Sequence, residues 1–175
     1  MQMHELDLPG VFLVDIQKMS DNRGFFARTW DAIQAKETGL VPHFEYSCIS
    51  RNTAKHTLRG MHYQRHPYGE VKLVRCTKGA LFDVVVDLRP ASTTFSHWVS
   101  VELSAENHRA LYIPKGCAHG FLTLEDETEV LYEIAGAYKA EASVGVRFDD
   151  PAFGIVWPAA PSVIASRDAS YPLFT

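Results

Sequence analysis

The sequence is poor in cysteine, with only Cys48, Cys76 and Cys117 among 175 residues. An odd number of widely spaced cysteines, with no Cys-x-x-Cys pair, favours neither a disulfide framework nor a zinc site. We therefore expect three buried free thiols and a reducing compartment.

An excess of basic charge and long apolar runs are also missing. The formal net charge is −4 and no basic stripe is present, which argues against DNA or RNA as a partner. No segment reaches the roughly 18 apolar residues of a membrane span, and the N-terminus lacks the pattern of an export signal. These absences predict a cytoplasmic protein with no nucleic-acid or membrane partner. A small anionic ligand, which needs only a few Arg and Lys side chains, stays open.

Helix signals are scarce, whereas strand signals recur along the chain. One helix is predicted over residues 30–38, ended by Gly39 and Pro42, and a short helical turn is predicted near Ser166 in the tail. A strand is predicted over residues 10–18, and strands then follow one another from 44 to 148. Lys78-Gly79 indicates a hairpin that joins strands at 71–77 and 80–88. The pattern predicts a single all-β domain over 1–175, a jelly-roll barrel with one or two short helices.

The stretch Leu-Arg-Gly-Met-His-Tyr-Gln at 58–64 places a cationic side chain, a glycine and an imidazole close together on one predicted strand. Because side chains alternate on a strand, Leu58, Gly60, His62 and Gln64 should share one face. His62 would then point into the space that the sheet encloses. Imidazole titrates close to cytoplasmic pH, so His62 is a candidate general base.

A metal site is the alternative use of the histidines. His119 ends a Pro-x-Gly-x-x-His turn at 114–119, and with His62 it is similar to the metal-binding pattern of cupin barrels. That pattern normally begins with His-x-His, but its second position here is Gln64. His62, His119 and Glu70 would be too few ligands for a stable site, so we predict no metal.

Lys72 requires a partner, because it lies between apolar residues on a predicted strand. An unpaired buried ammonium costs several kcal/mol, so Lys72 has either a carboxylate or an anionic ligand beside it. Asp83, on the next predicted strand, is the candidate carboxylate. Taken alone, Tyr132 and Tyr138 are typical of barrel filling and Asp168 of a surface position.

The chain resembles the dTDP-4-dehydrorhamnose 3,5-epimerase family in several motifs that follow one another along its length. They include Arg-Gly-Phe-Phe at 23–26, the 58–64 stretch, Lys-Leu-Val-Arg-Cys at 72–76, Phe-Asp-Val at 82–84, residues 101–107, Ile-Pro-x-Gly-x-Ala-His-Gly-Phe at 113–121 and Asp-Asp-Pro at 149–151. The resemblance implies a metal-free cupin jelly roll. It also implies a homodimer that acts, without a cofactor, on a nucleotide-linked 4-keto-6-deoxyhexose.

The resemblance also implies roles for four catalytic residues. His62 would be the base, Asp168 would orient it, Lys72 would stabilise the enolate, and Tyr132 would return the proton. The chemistry agrees, because a C4 ketone acidifies the hydrogens on C3 and C5 and a cation can receive the charge on the ketone oxygen. Inversion needs acid and base groups on opposite faces of the sugar.

The substrate-binding residues implied by the resemblance are mostly cationic. Tyr138 would stack on the nucleotide base, and the remaining contacts would come from Arg23, Arg28, Arg59, His119 and Arg167. The segment at 23–28 would be lent by the partner subunit. Arg167 stands where the family usually has lysine.

Some binding positions depart from the family pattern. Arg28 and Ser143 stand where glutamates are usual, and Ser47-Cys48-Ile49 replaces a Gln-Asp-Asn-like stretch. These departures predict 3,5-epimerase chemistry without a strong preference for the dTDP form. The alternatives are a C3-only or C5-only epimerase on a CDP- or GDP-linked sugar, a non-catalytic sugar-nucleotide binding barrel, and a metal-dependent cupin oxygenase or isomerase.

Overall fold

The computed structural model describes residues 1–174, which form fourteen strands and two short α-helices. The helices are α1 (Ala32–Glu37), between β4 and β5, and α2 (Ser166–Ala169), after β14. A single 3-10 turn at Ala140–Ala142 precedes β13. The strands are β1 (Gln2–Glu5), β2 (Phe12–Asp15), β3 (Met19–Asp21), β4 (Gly24–Phe26), β5 (Tyr46–Asn52), β6 (Thr57–Gln64), β7 (Val71–Lys78), β8 (Ala80–Asp87), β9 (Trp98–Ser104), β10 (Ala110–Ile113), β11 (Cys117–Thr123), β12 (Thr128–Ala135), β13 (Ser143–Gly145) and β14 (Val163–Ile164).

Two large sheets face each other. The first has the strand order β1-β2-β10-β7-β12-β5, and the second has the order β13-β6-β11-β8-β9. Pairing is antiparallel throughout, except that β14 runs parallel to β6. Strands β3 and β4 form a separate two-stranded ribbon. The molecule is therefore a jelly-roll barrel with two short helices, which confirms the all-β prediction.

Apolar side chains of both sheets fill the space between them. This central core includes Val74 and Val130 from the first sheet and Leu81, Val85 and Phe121 from the second. The outer face of the first sheet is covered by the segment around α1, and that of the second by the C-terminal tail. Most central strands are buried on both faces, so their sequences read as nearly continuous apolar runs.

The predicted helix and tail turn are both present. Helix α1 begins after Asp31, whose side chain accepts hydrogen bonds from the backbone N–H groups of Ile33 and Gln34. It ends before Gly39, so it is shorter at each end than the predicted 30–38. The predicted strand at 10–18 is also shorter, because β2 covers only Phe12–Asp15. Helix α2 forms the turn predicted near Ser166.

The predicted hairpin at Lys78-Gly79 is wrong. Strand β7 pairs with β10 and β12 in the first sheet, whereas β8 pairs with β11 and β9 in the second. Gly79 alone separates β7 from β8, and a single residue is too short for the usual two-residue hairpin loop. The chain therefore crosses from one sheet to the other at this point.

The predicted alternation along β6 is interrupted by a bulge. His62 pairs with His119 and Arg59 pairs with Phe121, so β6 has one residue more than β11 between these pairs. The extra residue places Arg59 and His62 on the same face, although strict alternation separates them. Gly60 has a φ of +141°, and a Cβ there would lie 2.5 Å from the Cα of Gly120. Only glycine fits this position.

The three cysteines are free, but they differ in exposure. Cys76 and Cys117 are buried as predicted, and burial raises the pKa of their thiols to about 11 and about 12. Cys48 is exposed, which corrects the prediction, because it lies on β5 at the edge of the first sheet. Among residues 1–174, no helix has the length and apolar character needed to cross a membrane.

Candidate active site

A cavity of about 580 Å³ opens between the two sheets. Strands β5, β7 and β12 form one wall, and β6 and β11 form the other. Among the predicted site residues, seven line it: Arg59, His62, Lys72, His119, Tyr132, Tyr138 and Arg167. The other lining residues are Tyr46, Cys48, Ser50, Glu70, Phe121, Ile134 and Ser143.

His62 is held by Asp168, which lies behind it. The Nε2 of His62 is 2.8 Å from Oδ1 of Asp168, and the second carboxylate oxygen accepts the Gly60 backbone N–H at 3.1 Å. Burial alone would raise the pKa of Asp168, but the hydrogen bonds from His62 and Gly60 lower it on balance. A charged carboxylate at Nε2 fixes the ring orientation and leaves Nδ1 available to accept a proton.

Lys72 is paired with Glu70 and not with Asp83, so the predicted partner is wrong. The Nζ of Lys72 lies 3.1 Å from a carboxylate oxygen of Glu70 and donates to the backbone oxygen of His62 at 3.3 Å. Asp83 instead accepts a hydrogen bond from Nε2 of His119 at 2.6 Å. The reason is the sheet crossing at Gly79, which places Lys72 and Asp83 in different sheets.

Tyr132 faces the cavity from the sheet opposite His62. Its side chain packs against the central core, and the rings of Tyr132 and His119 meet edge to face, with their centroids 6.0 Å apart. Burial raises the pKa of the Tyr132 phenol well above its ordinary value, and the negative charge of Asp83 raises it further. The phenol is therefore protonated at neutral pH and can act as an acid.

Cationic groups with neutral partners lie near the mouth of the cavity. Nε of Arg59 donates to the side-chain oxygen of Asn52 at 2.7 Å, and Arg167 donates to the backbone oxygen of Ser143 at 3.1 Å. Neutral partners leave the positive charges available for an anion. Tyr138 is 60% exposed on the loop after β12, where its ring can stack on a ligand.

Arg23 and Arg28 do not line the cavity of this chain. Arg23 lies in the turn between β3 and β4, is 84% exposed, and pairs with Asp21 at 2.5 Å. Arg28 is 68% exposed and pairs with Asp31, the residue that caps α1. Neither side chain therefore contacts the cavity within this chain.

The sequence did not predict Tyr46, Ser50, Phe121 or Ile134 as lining residues, whereas Cys48 and Ser143 lie at positions that it indicated as ligand-binding. Tyr46, Cys48 and Ser50 alternate along β5 and face the cavity together, which is the period-2 signal of a strand face. The sequence indicates Glu70 only as a candidate metal ligand. Within residues 1–174, no three His, Cys, Asp or Glu side chains converge to hold a metal ion.

Comparisons with known proteins agree with this geometry. The profile of the dTDP-4-dehydrorhamnose 3,5-epimerase family matches residues 5–175. Enzymes of that name from Sinorhizobium fredii and Escherichia coli K12 are 41% and 40% identical, covering 98% and 95% of this chain and 89% and 90% of their own.

Solved structures give the same result. The Bacillus anthracis dTDP-4-dehydrorhamnose 3,5-epimerase, with TDP and PPi bound, has a TM-score of 0.95 at 35% identity and covers 99% of both chains. NovW, a 4-keto-6-deoxy sugar epimerase of Streptomyces spheroides, has a TM-score of 0.92 at 31% identity, with coverage of 98% of this chain and 86% of its own.

The jelly-roll fold, the cavity and these relatives define an isomerase of the class that epimerises sugar nucleotides. Within that class, the chain belongs to the dTDP-4-dehydrorhamnose 3,5-epimerase family.

Proposed function

We propose that this protein inverts C3 and C5 of a nucleotide-diphosphate-linked 4-keto-6-deoxyhexose. One observation carries the proposal: His62 on β6 and Tyr132 on β12 face one cavity from opposite sheets. Inversion of a carbon centre requires that a proton leave from one face of the sugar and return on the other. A binding module has no need of a base and an acid placed in this way.

The chemistry follows from the side chains around the cavity. His62 removes the proton next to the C4 ketone, while Asp168 holds the ring and stabilises the imidazolium that forms. The ammonium of Lys72 stabilises the negative charge that develops on the ketone oxygen. Tyr132 then protonates the enolate from the opposite side. A second cycle inverts the other carbon after His62 has given its proton to solvent and Tyr132 has regained one from solvent.

Binding of the nucleotide diphosphate is proposed for the groups at the mouth. Arg59 and Arg167 carry charges with neutral partners and suit the diphosphate, and His119 adds a contact inside the cavity. Tyr138 is exposed at the rim and would stack on the base. The names of the relatives specify dTDP as the nucleotide. Location in the cytoplasm stays a prediction.

We also propose that the active form is a homodimer in which Arg23 and Arg28 reach the cavity of the partner. Two features support this arrangement. Strand β5 lies at an open edge of the first sheet, with Ile49 64% exposed. The β3–β4 ribbon exposes Met19, Phe25 and Phe26 by 60%, 45% and 73%. Exposed apolar groups of this size mark interaction surfaces.

The test is proton NMR in deuterated water with the dTDP-linked 4-keto-6-deoxyglucose as substrate. Deuterium should enter at both C3 and C5, and the product should have both centres inverted. An enzyme-free sample gives the background exchange. Binding of the nucleotide sugar without exchange at either carbon would refute the proposal.

A monoepimerase is the second candidate, because one solved neighbour has that activity. ChmJ, a 3'-monoepimerase of Streptomyces bikiniensis solved with dTDP-quinovose, has a TM-score of 0.89 at 30% identity, with coverage of 98% of this chain and 87% of its own. The same NMR experiment separates the two functions, since a C3-only enzyme leaves C5 in its original configuration.

A further inference from the structure

Glu70 and Gln64 lie beside Lys72, and the proposed mechanism gives neither of them a role. The side chains of Glu70 and Lys72 are 11% and 10% exposed, so the ion pair is nearly buried. Burying an ammonium in this way is costly unless a carboxylate accompanies it. Asp83, which the sequence indicated, is bound to His119 instead.

The contacts of Lys72 fix the direction of its remaining donor. An ammonium carries three N–H groups. One faces the carboxylate of Glu70 and another donates to the backbone oxygen of His62 at 3.3 Å. One N–H is left for the cavity. A lysine without these contacts would rotate about its flexible side chain and present its charge in many positions.

Gln64 holds Glu70 in turn, and it is 4% exposed. Its Nε2 lies 3.0 Å from Oε2 of Glu70 and 3.0 and 3.2 Å from the backbone oxygens of Tyr68 and Ala137, so its two N–H groups are shared among three acceptors. Its Oε1 accepts the backbone N–H of Lys139 at 2.7 Å. If the amide of Gln64 were flipped, its oxygen would face the acceptor oxygens and its NH₂ group would face the backbone N–H of Lys139. These partners therefore determine the orientation of the amide.

We propose that Glu70 is a positioning residue for Lys72, and that Gln64 holds both Glu70 and the 136–139 loop in place. The inference rests on the proposed role of Lys72 at the enolate oxygen. Gln64 occupies the position of the second histidine in the metal-binding cupin pattern. In this protein the residue at that position forms hydrogen bonds that hold Glu70 and the 136–139 loop together. Because the clamped loop carries Tyr138, Gln64 also connects the reacting end of the cavity with the nucleotide end.

The first experiment is the variant Glu70→Gln. It keeps the shape of the side chain, but its NH₂ group would face the donors of Gln64 or Lys72. We expect kcat for inversion and C–H exchange to fall together on the order of 10-fold or more, with KM within about 2-fold. Glu133→Gln is the matched control, since Glu133 does not line the cavity and follows Tyr132 on β12. It should keep wild-type kcat.

A double-mutant cycle separates a positioning role from a general structural one. If Glu70 acts through Lys72, adding Glu70→Gln to Lys72→Ala should lower the exchange rate by less than about 2-fold. Wild-type kcat in Glu70→Gln, or a full additive loss in the double variant, overturns the inference. Wild-type exchange in Lys72→Ala would instead refute the role of Lys72 in the proposed function, so the two failures are distinguishable.

Gln64→Met supplies an independent test if the Glu70 variant fails to fold. Methionine is close to glutamine in length but cannot hydrogen-bond to Glu70 or to the loop. We expect a lower kcat, because Lys72 is released, together with a higher KM, because the loop with Tyr138 is released. A change in KM alone would show that Gln64 does not act on Lys72.

Discussion

The carboxylate of Asp168 and the imidazole of His62 form the pair to which we assign proton removal. We expect His62→Ala to lower deuterium incorporation at C3 and C5 by at least about 10²-fold, which is the usual contribution of a positioned general base. NMR in deuterated water measures both positions at once. His43→Ala, at an exposed histidine outside the cavity, is the control. Near wild-type incorporation in His62→Ala would show that another group is the base.

Replacing Tyr132 and replacing Lys72 should impair the reaction in different ways. Tyr132→Phe removes only the hydroxyl, so His62 should still exchange a substrate proton with solvent while inversion is impaired. Lys72→Ala should suppress exchange and inversion together, because the enolate is no longer stabilised. Comparing exchange with product stereochemistry separates the two effects. Equal residual exchange in both variants contradicts this assignment.

For individual residues, the sequence predicts which side chains reach the site better than it predicts the partners of those side chains. The resemblance to the family predicted seven of the fourteen lining residues as site residues, and it predicted that Asp168 contacts His62. The partner of Lys72 was predicted wrongly, because that partner depends on which sheet each strand joins. Hydrophobic pattern shows that a strand is buried and does not show which strand lies beside it.

At the end of strand β8, one buried carboxylate holds the loop that follows. Asp87 is fully buried and accepts hydrogen bonds from the side chains of Arg89, Ser92 and Thr94 at 2.6 to 2.8 Å. Burial alone would raise the pKa of Asp87, but these bonds hold it far below its usual range. The loop after β8 is thus tied to a charged group inside the protein.

Asp87→Asn should therefore destabilise the fold in a pH-dependent way. At pH 7 we expect a loss on the order of 3 kcal/mol in the free energy of unfolding. Because the folded pKa is depressed, the stabilisation is complete above the unfolded pKa of about 3.9 and disappears as the pH falls through the lower folded value. The difference in the free energy of unfolding between wild type and variant should therefore become smaller under acid conditions.

Urea unfolding at several pH values measures the difference in the free energy of unfolding between wild type and Asp87→Asn. Asp149→Asn is the control, since Asp149 forms a solvent-exposed pair with Arg147 that should contribute little to stability. A gap for Asp87→Asn that stays constant down to the lowest pH at which the protein folds would contradict the assignment.

The order of elements was predictable, whereas their connections were less so. Periodicity and turn residues predicted most strands, helix α1 and the turn at Ser166. The crossing at Gly79 was missed, because a Lys-Gly pair between two apolar runs has the same local pattern in a hairpin as in a change of sheet. The bulge at Gly60 was missed as well, because it depends on the close approach of Gly120 from a distant strand.

For the whole molecule, the β3–β4 ribbon gives a test of the dimer. We expect Phe26→Glu to shift the protein toward the monomer, because a charge replaces an aromatic ring that is 73% exposed. Light scattering after size exclusion measures the mass. Activity should fall with it, since Arg23 and Arg28 would no longer reach a partner cavity. Ile33→Glu, at a position 74% exposed on α1, should stay dimeric. A Phe26→Glu variant that keeps the wild-type mass would refute this surface.

Nucleotide preference is a second property to test on the whole molecule. Ser143 and Cys48 line the cavity where the family pattern has carboxylates, and Ser143 interacts with Arg167. We expect no strong preference for the dTDP form, because these positions no longer accept hydrogen bonds from a base as carboxylates do. Comparing kcat/KM for dTDP-, UDP-, CDP- and GDP-linked 4-keto sugars measures this. A clear preference for dTDP contradicts the expectation.

The distance along the chain between His62 and Asp168 has a consequence for biosynthesis. They are separated by 106 positions, and Asp168 lies on α2, the last helix of the described chain. When the ribosome has made the strands up to β13, the chain contains the strands of both cavity walls but does not yet contain Asp168. Translation must pass α2 before the base is complete. A protease that removes the C-terminal segment would likewise separate His62 from its carboxylate partner.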